Sequence, residues 1–365
     1  MSDVDSGTMI RMKTIQQVSG RSSPTTAKAA DCVRENSLFQ NLATIQYPAA
    51  WYYFGSVKEL SRGPVSKQLV GKSLVGFLTE SGQPGVLSDR CAHMGSQLAG
   101  GRVVGETLQC SLHHWQFGTD GCCTHIPATD NIPSFARQAN YSAVIRHGYV
   151  YFFNGPKPDF PLPFFDSLSP DDLVAAQPFI ETVHCPWYML GANAVDTQHF
   201  SIAHDRTLLQ LPEVDYPDPL AHRTVCHFKI AGDSIGDRVT KYFGGGTVRL
   251  QITDWCSTMV FAHATLARTE TFGMLSIVPL APDRTLVHGT IMARASAGSL
   301  QRRLLDPLRA AVRRSLIRNF LRSDIDRLSG TNYSPHSFIE IDAQFADYFQ
   351  WLMRVNGRSN LGNKS

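Results

Sequence analysis

Cys91-Ala92-His93 and Cys110-Ser111-Leu112-His113, with sixteen residues between them, decide the reading of this chain. They spell CxH…CxxH, so each of two short segments offers one thiolate and one imidazole. Such a set can hold a [2Fe–2S] cluster with two cysteines on one iron and two histidines on the other. Imidazole is a neutral ligand, so replacing two thiolates raises the cluster potential and suits it to passing single electrons on. Cys₂His₂ is also a structural zinc set, but a zinc finger groups both cysteines in one knuckle and both histidines on a helix. Here each segment carries one of each. The flanking Val86-Leu87-Ser88-Asp89-Arg90 and Trp115-Gln116-Phe117 read as strands entering and leaving loops. Gly118-Thr119-Asp120-Gly121 follows as a turn. The ligand order favours the cluster.

A second set lies at Asn193, Asp196, His199 and His204, an NxxDxxHxxxxH pattern inside GANAVDTQHFSIAHDRT. Steps of three place Asn193, Asp196 and His199 on one face of a helix spanning 190–204, which loosens or ends at His204. Two imidazoles and one carboxylate make the facial triad of non-haem Fe(II) oxygenases, which leaves positions open for O₂. Standing alone, the pattern would read equally well as two surface histidines. Downstream of an electron-transfer cluster the two sets make joint sense. The third ligand must be an acid, and Ser323-Asp324-Ile325-Asp326 offers two. A helix is expected over about 299–323, with apolar residues at 305, 308, 312, 316 and 320 marking a face toward the domain interior. Asp324 continues that face one turn past Phe320. An acid there is costly unless paired or metal-bound, so Asp324 is preferred and Asp326, rotated away, is the fallback.

These residues resemble the Rieske non-haem iron oxygenases, specifically their catalytic α subunits, over roughly Trp51 to Val355. Cluster motif, NxxDxxHxxxxH segment and late aspartate come in the family's order. His113-His114-Trp115 and Ile126-Pro127 fit as well, and Asp324-Ile325-Asp326-Arg327-Leu328 aligns with the ligand-bearing segment. Within the family the chain is most similar to single-subunit members such as aminopyrrolnitrin oxygenase, 3-ketosteroid 9α-hydroxylase and the cholesterol 7-desaturases. The ending Asn332-Tyr333-Ser334 with Phe345 and Trp351 adds to that likeness. The resemblance implies an α+β fold: an N-terminal all-β Rieske domain, then a helix-grip catalytic domain with an antiparallel sheet around a long helix. It implies one [2Fe–2S] cluster per subunit at Cys91, His93, Cys110 and His113, and one Fe(II) at His199, His204 and Asp324. Asp196 would bridge an iron-ligand histidine to a cluster histidine of a neighbouring subunit in a homotrimer. Asn193 would lie near the iron. Electrons would come from an NAD(P)H-dependent flavin reductase, alone or through a ferredoxin, and O₂ would monooxygenate a hydrophobic, cyclic small molecule. Desaturation or demethylation of a sterol-like substrate is the alternative outcome.

Composition sets bounds on this reading. The chain has 365 residues, 34 basic and 31 acidic, for a net charge of +3, so no global field points to nucleic acid. No run of eighteen apolar residues exists for a spanning helix. MSDVDSGTMIRMK lacks the apolar core of a signal peptide, so a reducing, cytoplasmic setting is expected. Cys32, Cys122, Cys123, Cys185, Cys226 and Cys256 show no disulfide framework.

Along the chain we expect a polar segment over 1–46, the Rieske domain over 47–157 and the mononuclear iron domain over 158–365. Residues 157–170 form a Pro-rich connector. Lys241-Tyr242-Phe243-Gly244-Gly245-Gly246 reads as a loop, and His114 as a structural neighbour of the ligand pair. His222, His288 and the other scattered histidines read as satisfied core or surface residues. Arg302, Arg303, Arg309, Arg313, Arg314, Arg318 and Arg322 read as a solvated face opposite the leucines; docking an acidic donor or an anionic membrane is the minority reading. Phe200, Ile202, Trp255 and Phe261 are candidate apolar neighbours of the iron. Two rival functions remain: an electron carrier without oxygenase activity, which would need only about a hundred residues, and a zinc-stabilised binding module. Iron per chain separates them.

Overall fold

A computed structural model of the chain describes residues 47–331, 339 and 342–361. The expected tail over 1–46, Cys32, His336 and Asn332-Tyr333-Ser334 lie outside the described residues. The first half is all β apart from short turns. Strands β1 (Trp51–Ser56), β10 (Ala143–Arg146) and β11 (Tyr149–Phe153) form one sheet in the order β1-β11-β10. A second sheet holds β2 (Val65–Leu69), β3 (Lys72–Leu78), β4 (Pro84–Ser88) and β9 (Asn140–Tyr141). A third holds β5 (Arg102–Val104), β6 (Thr107–Gln109), β7 (Gln116–Gly118) and β8 (Cys123–His125). Helix α1 (Val57–Leu60) is a single turn after β1. The aromatic, β-branched runs of β1 and β11 make these strands. Trp51, Tyr52, Phe54 and Phe152 are all buried, and stacking across the pair adds to their burial.

The second half is a nine-stranded antiparallel sheet. Its long strands are β16 (Ala221–Ile230), β17 (Thr247–Trp255), β18 (Met259–Leu266), β19 (Glu270–Ala281) and β20 (Arg284–Arg294). β12 (Leu173–Ala175) and β13 (Phe179–Val183) pair with β20 at one edge; β14 (Arg206–Leu208) and β15 (Glu213–Asp218) pair with β16 at the other. The register sorts the side chains onto two faces. One face carries Phe261, Phe272 and His288 and meets the first half: Phe165 packs on Phe261 and Phe272, and Tyr53 stacks on His288 with ring centroids 4.0 Å apart. The other face carries Phe228 and Ala293 and is covered by helices. These are α2 (Tyr188–Asn193), α3 (Thr197–His204), α4 (Ile235–Gly244), α5 (Ser299–Leu328) and α6 (Ala343–Leu361). The two halves share an apolar core from Ala50 to Val355, and a second, smaller core from Val75 to Ala136 includes Cys91 and Cys110.

Several expectations change. The single helix over 190–204 is two helices, broken at Ala194–Asp196, so Asp196 does not share a helical face with His199. The Pro-rich connector is packed core: Phe160, Leu162 and Phe165 are buried, and Phe160 accepts a hydrogen bond from the Trp51 indole. Lys241 to Gly244 belong to α4 rather than a loop.

The largest correction concerns α5. Its leucines do not face the interior: Leu305, Leu308, Val312 and Leu316 are 37–62% exposed. The reason is rotational. A four-residue step turns a helix by about 400°, so a 308–312–316–320 row slides about 40° per step off the buried side. Phe320 still faces inward, while Leu308 points away. Small or polar residues fill the buried side instead. Ala310 packs with Ala176 and Ala293, and Asp306 binds Ser296. The arginines read as solvated tie the helix down. Arg313 bonds Thr269 and the Glu270 carbonyl, Arg314 the Pro178 carbonyl, Arg318 Glu181, and Arg302 the Asp171 carbonyl.

His288 is also not a satisfied histidine. It is wholly buried, and neither ring nitrogen has a partner.

Candidate functional site

Two sites can be built from the chain. At the first, β4 and β6 deliver two loops of the same backbone design. The Cys91 amide donates to Ser96 O, and Gly95 donates back to Cys91 O. The Cys110 amide donates to Trp115 O, and His114 donates back to Cys110 O. The left-handed residue that each turn requires is Gly95 in one loop (φ 72°) and His114 in the other (φ 59°). His114 therefore occupies a position that favours glycine.

Both cysteines are buried, whereas His93 and His113 stand at the exposed tip with ring centroids 4.7 Å apart. Trp115 lies flat on His93 at 4.4 Å and 5°. Beneath them Asp89, fully buried, accepts hydrogen bonds from Ser66, Gln97 and the Ala99 amide and so ties the first loop to β2. No spacing in the sequence marked Asp89, because its partners come from β2 and from the end of the first loop, with no motif linking them. Met94, Leu112 and Phe135 are large apolar residues left 54–67% exposed in this half of the chain, the first two on the cluster loops themselves.

At the second site α3 and α5 converge. His199 Nε2 lies 2.8 Å from Asp324 Oδ1 and 3.1 Å from His204 Nε2, and His204 Nε2 lies 2.6 Å from the same Asp324 oxygen. Three donor atoms about 2.1 Å from a shared octahedral metal, at right angles to one another, lie about 3 Å apart. Two nitrogens and one carboxylate oxygen facing a common point fit that geometry and that donor set. All three side chains are at least nine-tenths or nearly so removed from solvent. Burial pushes Asp324 up, but hydrogen bonding to His199 and His204 outweighs it and leaves the acid below its ordinary value. Asp326 is exposed on the far side of α5.

The ring of His204 is clamped. Phe320 stacks on it at 3.6 Å and 13°, and Phe200 fixes α3 to β16 by packing on Phe228. Arg206 donates to the His204 carbonyl, pairs with Asp237 at 2.8 Å and lies over Phe320. Asp205 takes a left-handed conformation that ends α3 there. Arg206 and Asp237 also escaped the sequence reading, since nothing local links them.

Asp196 is the N-cap of α3, its Oδ1 accepting from the His199 amide at 3.0 Å. Asn193 ends α2 and is half-buried. Of the apolar candidates, Phe200 belongs to the site, Ile202 is 75% exposed, and Trp255 and Phe261 sit on the opposite face of the sheet. The face beneath the helices instead presents Leu250, Ala262, Gly273 and Leu275, apolar positions inside the fold that are only half covered.

Among the described residues no helix is long and apolar enough to cross a membrane, and the described cysteines are free thiols.

The family model for the Rieske [2Fe-2S] domain matches residues 50–136. Aminopyrrolnitrin oxygenase PrnD of Pseudomonas fluorescens is 31% identical over 172 residues, 44% of this chain and 47% of that protein. The oxygenase component of 3-ketosteroid-9-alpha-monooxygenase from Rhodococcus rhodochrous is 29% identical over 168 residues, 44% of each. The chain thus spans about half the length of the curated relatives it matches. Solved structures match more broadly. A Pseudomonas putida CBB5 NdmA mutant with theobromine superposes with a TM-score of 0.66 at 17% identity, covering 89% of this chain and 94% of that one. Dicamba monooxygenase bound to dicamba does so at 0.61 and 16%, covering 86% and 99%.

Proposed function

We propose, for a chain that carries a Rieske [2Fe–2S] domain and has the fold of the Rieske oxygenases it superposes on, that it is the oxygenase component of a multicomponent system. It would take electrons from a reductase, directly or through a ferredoxin, and monooxygenate a hydrophobic, cyclic small molecule. The observation that carries this is the meeting of His199, His204 and Asp324 in a chain whose matched loops already bring two cysteines and two histidines together.

Cys91 and Cys110 would hold one iron of the cluster and His93 and His113 the other, while His199, His204 and Asp324 would hold Fe(II). When bound, these groups supply one-electron transfer and oxygen activation. The chain's own residues prepare the ground. Phe320 and Arg206 hold the His204 ring in one orientation, as supporting shells of ligand histidines do. Burial of the three ligands keeps bulk water from the reacting region. Leu250, Ala262, Gly273 and Leu275 offer an apolar surface for substrate, which supports a hydrophobic molecule over a charged one.

Asp196, one residue before α3, would link the two centres across a boundary between copies. The exposed His93 and His113 with Met94 and Leu112 beside them support burial of the cluster tip against a neighbour, and we take the assembly to be a trimer. Domain limits of 47–157 and 158–365 accompany this reading.

The test is iron and turnover together. The purified protein should bind three irons per chain, show a Rieske spectrum, and consume O₂ with substrate and a reconstituted reductase. Two irons per chain, with no oxygen uptake across an apolar substrate panel, would leave only an electron carrier.

A further inference from the structure

We propose that the outer face of α5 is a membrane-surface contact that seats the protein on anionic phospholipid bilayers. The observation is a stripe of aliphatic residues on one side of a helix that is otherwise well anchored. Leu300, Leu304, Leu305, Leu308, Val312 and Leu316 are 37–70% exposed. Leu304 and Leu305 are adjacent and the others follow at three to four residues, along about 24 Å of helix. Single exposed leucines are ordinary, but five with a valine along one helix form a patch of the kind that marks an interaction surface.

Charge says what covers it. From Ser299 to Ser323 the helix has one acid, Asp306, and it is fully buried. The exposed charges are Arg302, Arg303, Arg309, Arg318 and Arg322. Arg309 pairs with Asp306 and Arg318 with Glu181, so Arg302, Arg303 and Arg322 carry the net positive charge. By helical rotation Arg302 and Arg309 lie along one side of the stripe and Arg303 and Arg318 along the other, with Arg322 beyond its C-terminal end. An apolar centre with a basic rim is the chemistry of helices that lie in the headgroup region of anionic bilayers, with long arginines reaching from the apolar layer to phosphate.

Two other occupants fit less well. A second copy docked face to face would set arginine against arginine, with no exposed acid on this stretch to answer them. An acidic electron donor would be misplaced. α5 packs on the helix-covered face of the large sheet, whereas the half carrying Cys91 and Cys110 packs on the opposite face. The sheet would stand between donor and cluster.

The probe is cosedimentation of the iron-loaded, full-length protein with vesicles of phosphatidylcholine alone or with 30% phosphatidylglycerol, together with light scattering for mass. The wild type should pellet with the anionic vesicles and not with the neutral ones, and rising salt should release it. Leu304→Glu/Leu308→Glu changes only exposed side chains. It should lower the partition coefficient roughly a hundredfold, with cluster spectrum and assembly mass unchanged. A wild type that stays in the supernatant with anionic vesicles overturns the proposal. So does a variant that pellets as well as wild type, or one whose assembly falls apart, which would assign the stripe to contact between copies.

Discussion

Replacing His288 with phenylalanine should remove an acid sensitivity built into the contact between the two halves. The imidazole is wholly buried between Tyr53, stacked on it at 4.0 Å, and Tyr149, edge-on at 4.7 Å. Burial lowers its pKa from 6.5 to about 4. A histidine depressed in the folded state is fully compatible with the fold above the unfolded value. It draws stability away as the pH falls from about 6.5 toward 4, because the unfolded chain takes up the proton first.

At pH 5.5 an unfolded histidine of pKa about 6.5 is protonated about ten to one, while a folded one at about 4 is almost neutral. The cost is RT ln(11/1.03), about 1.4 kcal/mol, against less than 0.1 kcal/mol at pH 7.5. Phenylalanine keeps the stack on Tyr53 and has nothing to titrate. Going from pH 7.5 to 5.5, the wild type should therefore lose about 1.3 kcal/mol more than His288→Phe, or about 2 °C in Tm for a chain of this size. At neutral pH the variant should be more stable by about 1–2 kcal/mol, since two unpartnered ring nitrogens leave the core. Differential scanning calorimetry at the two pH values reads both numbers. Parallel pH dependences for the two proteins would show that His288 has a partner or solvent access, and the argument from its burial would fall.

His114→Gly should raise stability by about 1 kcal/mol and leave the cluster spectrum unchanged, because the left-handed turn suits glycine; a loss of colour would show that the imidazole itself is needed there. Asp324→Ala should lose the mononuclear iron, read by metal analysis, and keep the cluster, whereas Asp326→Ala should lose neither; the reverse pattern would move the ligand to Asp326. Asp196→Asn should keep both metals and α3, since asparagine caps a helix as well as aspartate does. Stopped-flow oxidation of its reduced cluster by O₂ with substrate should slow at least tenfold, and an unchanged rate would make Asp196 a cap and nothing more. Phe320→Ala should cost about 3 kcal/mol or less, since the ring is only partly buried, and should weaken iron retention at the second site by freeing the His204 ring.

What could be read from the sequence was local. CxH, CxxH and the pair His199/His204 are each fixed by a few residues of one loop or one short helix, so their spacing carries their geometry. Asp324 was legible because it sits one helical turn past Phe320, close enough that helical rotation had not drifted. The same rule failed over longer distance: the row from Leu308 to Phe320 repeats at four, not at 3.6, and precesses from solvent to core. Asp196 was misread for the opposite reason. Its step of three to His199 fits a helical face and an N-cap equally well, and only the break after Asn193 decides between them. Asp89, Arg206 and Asp237 left no signal, since Ser66 and the Arg206–Asp237 pair are joined only by the fold and nothing in composition announces a buried carboxylate or a clamp on the His204 ring.

The two cysteine turns close on themselves through bonds between residues four and five apart. Contacts of such short range form early and cheaply in a folding chain. Each hook can therefore take shape before its counterpart, and loading the cluster becomes a matter of docking two finished jaws. A cluster would thus meet a receptor that is already formed, with its thiolates buried and its imidazoles at the open end.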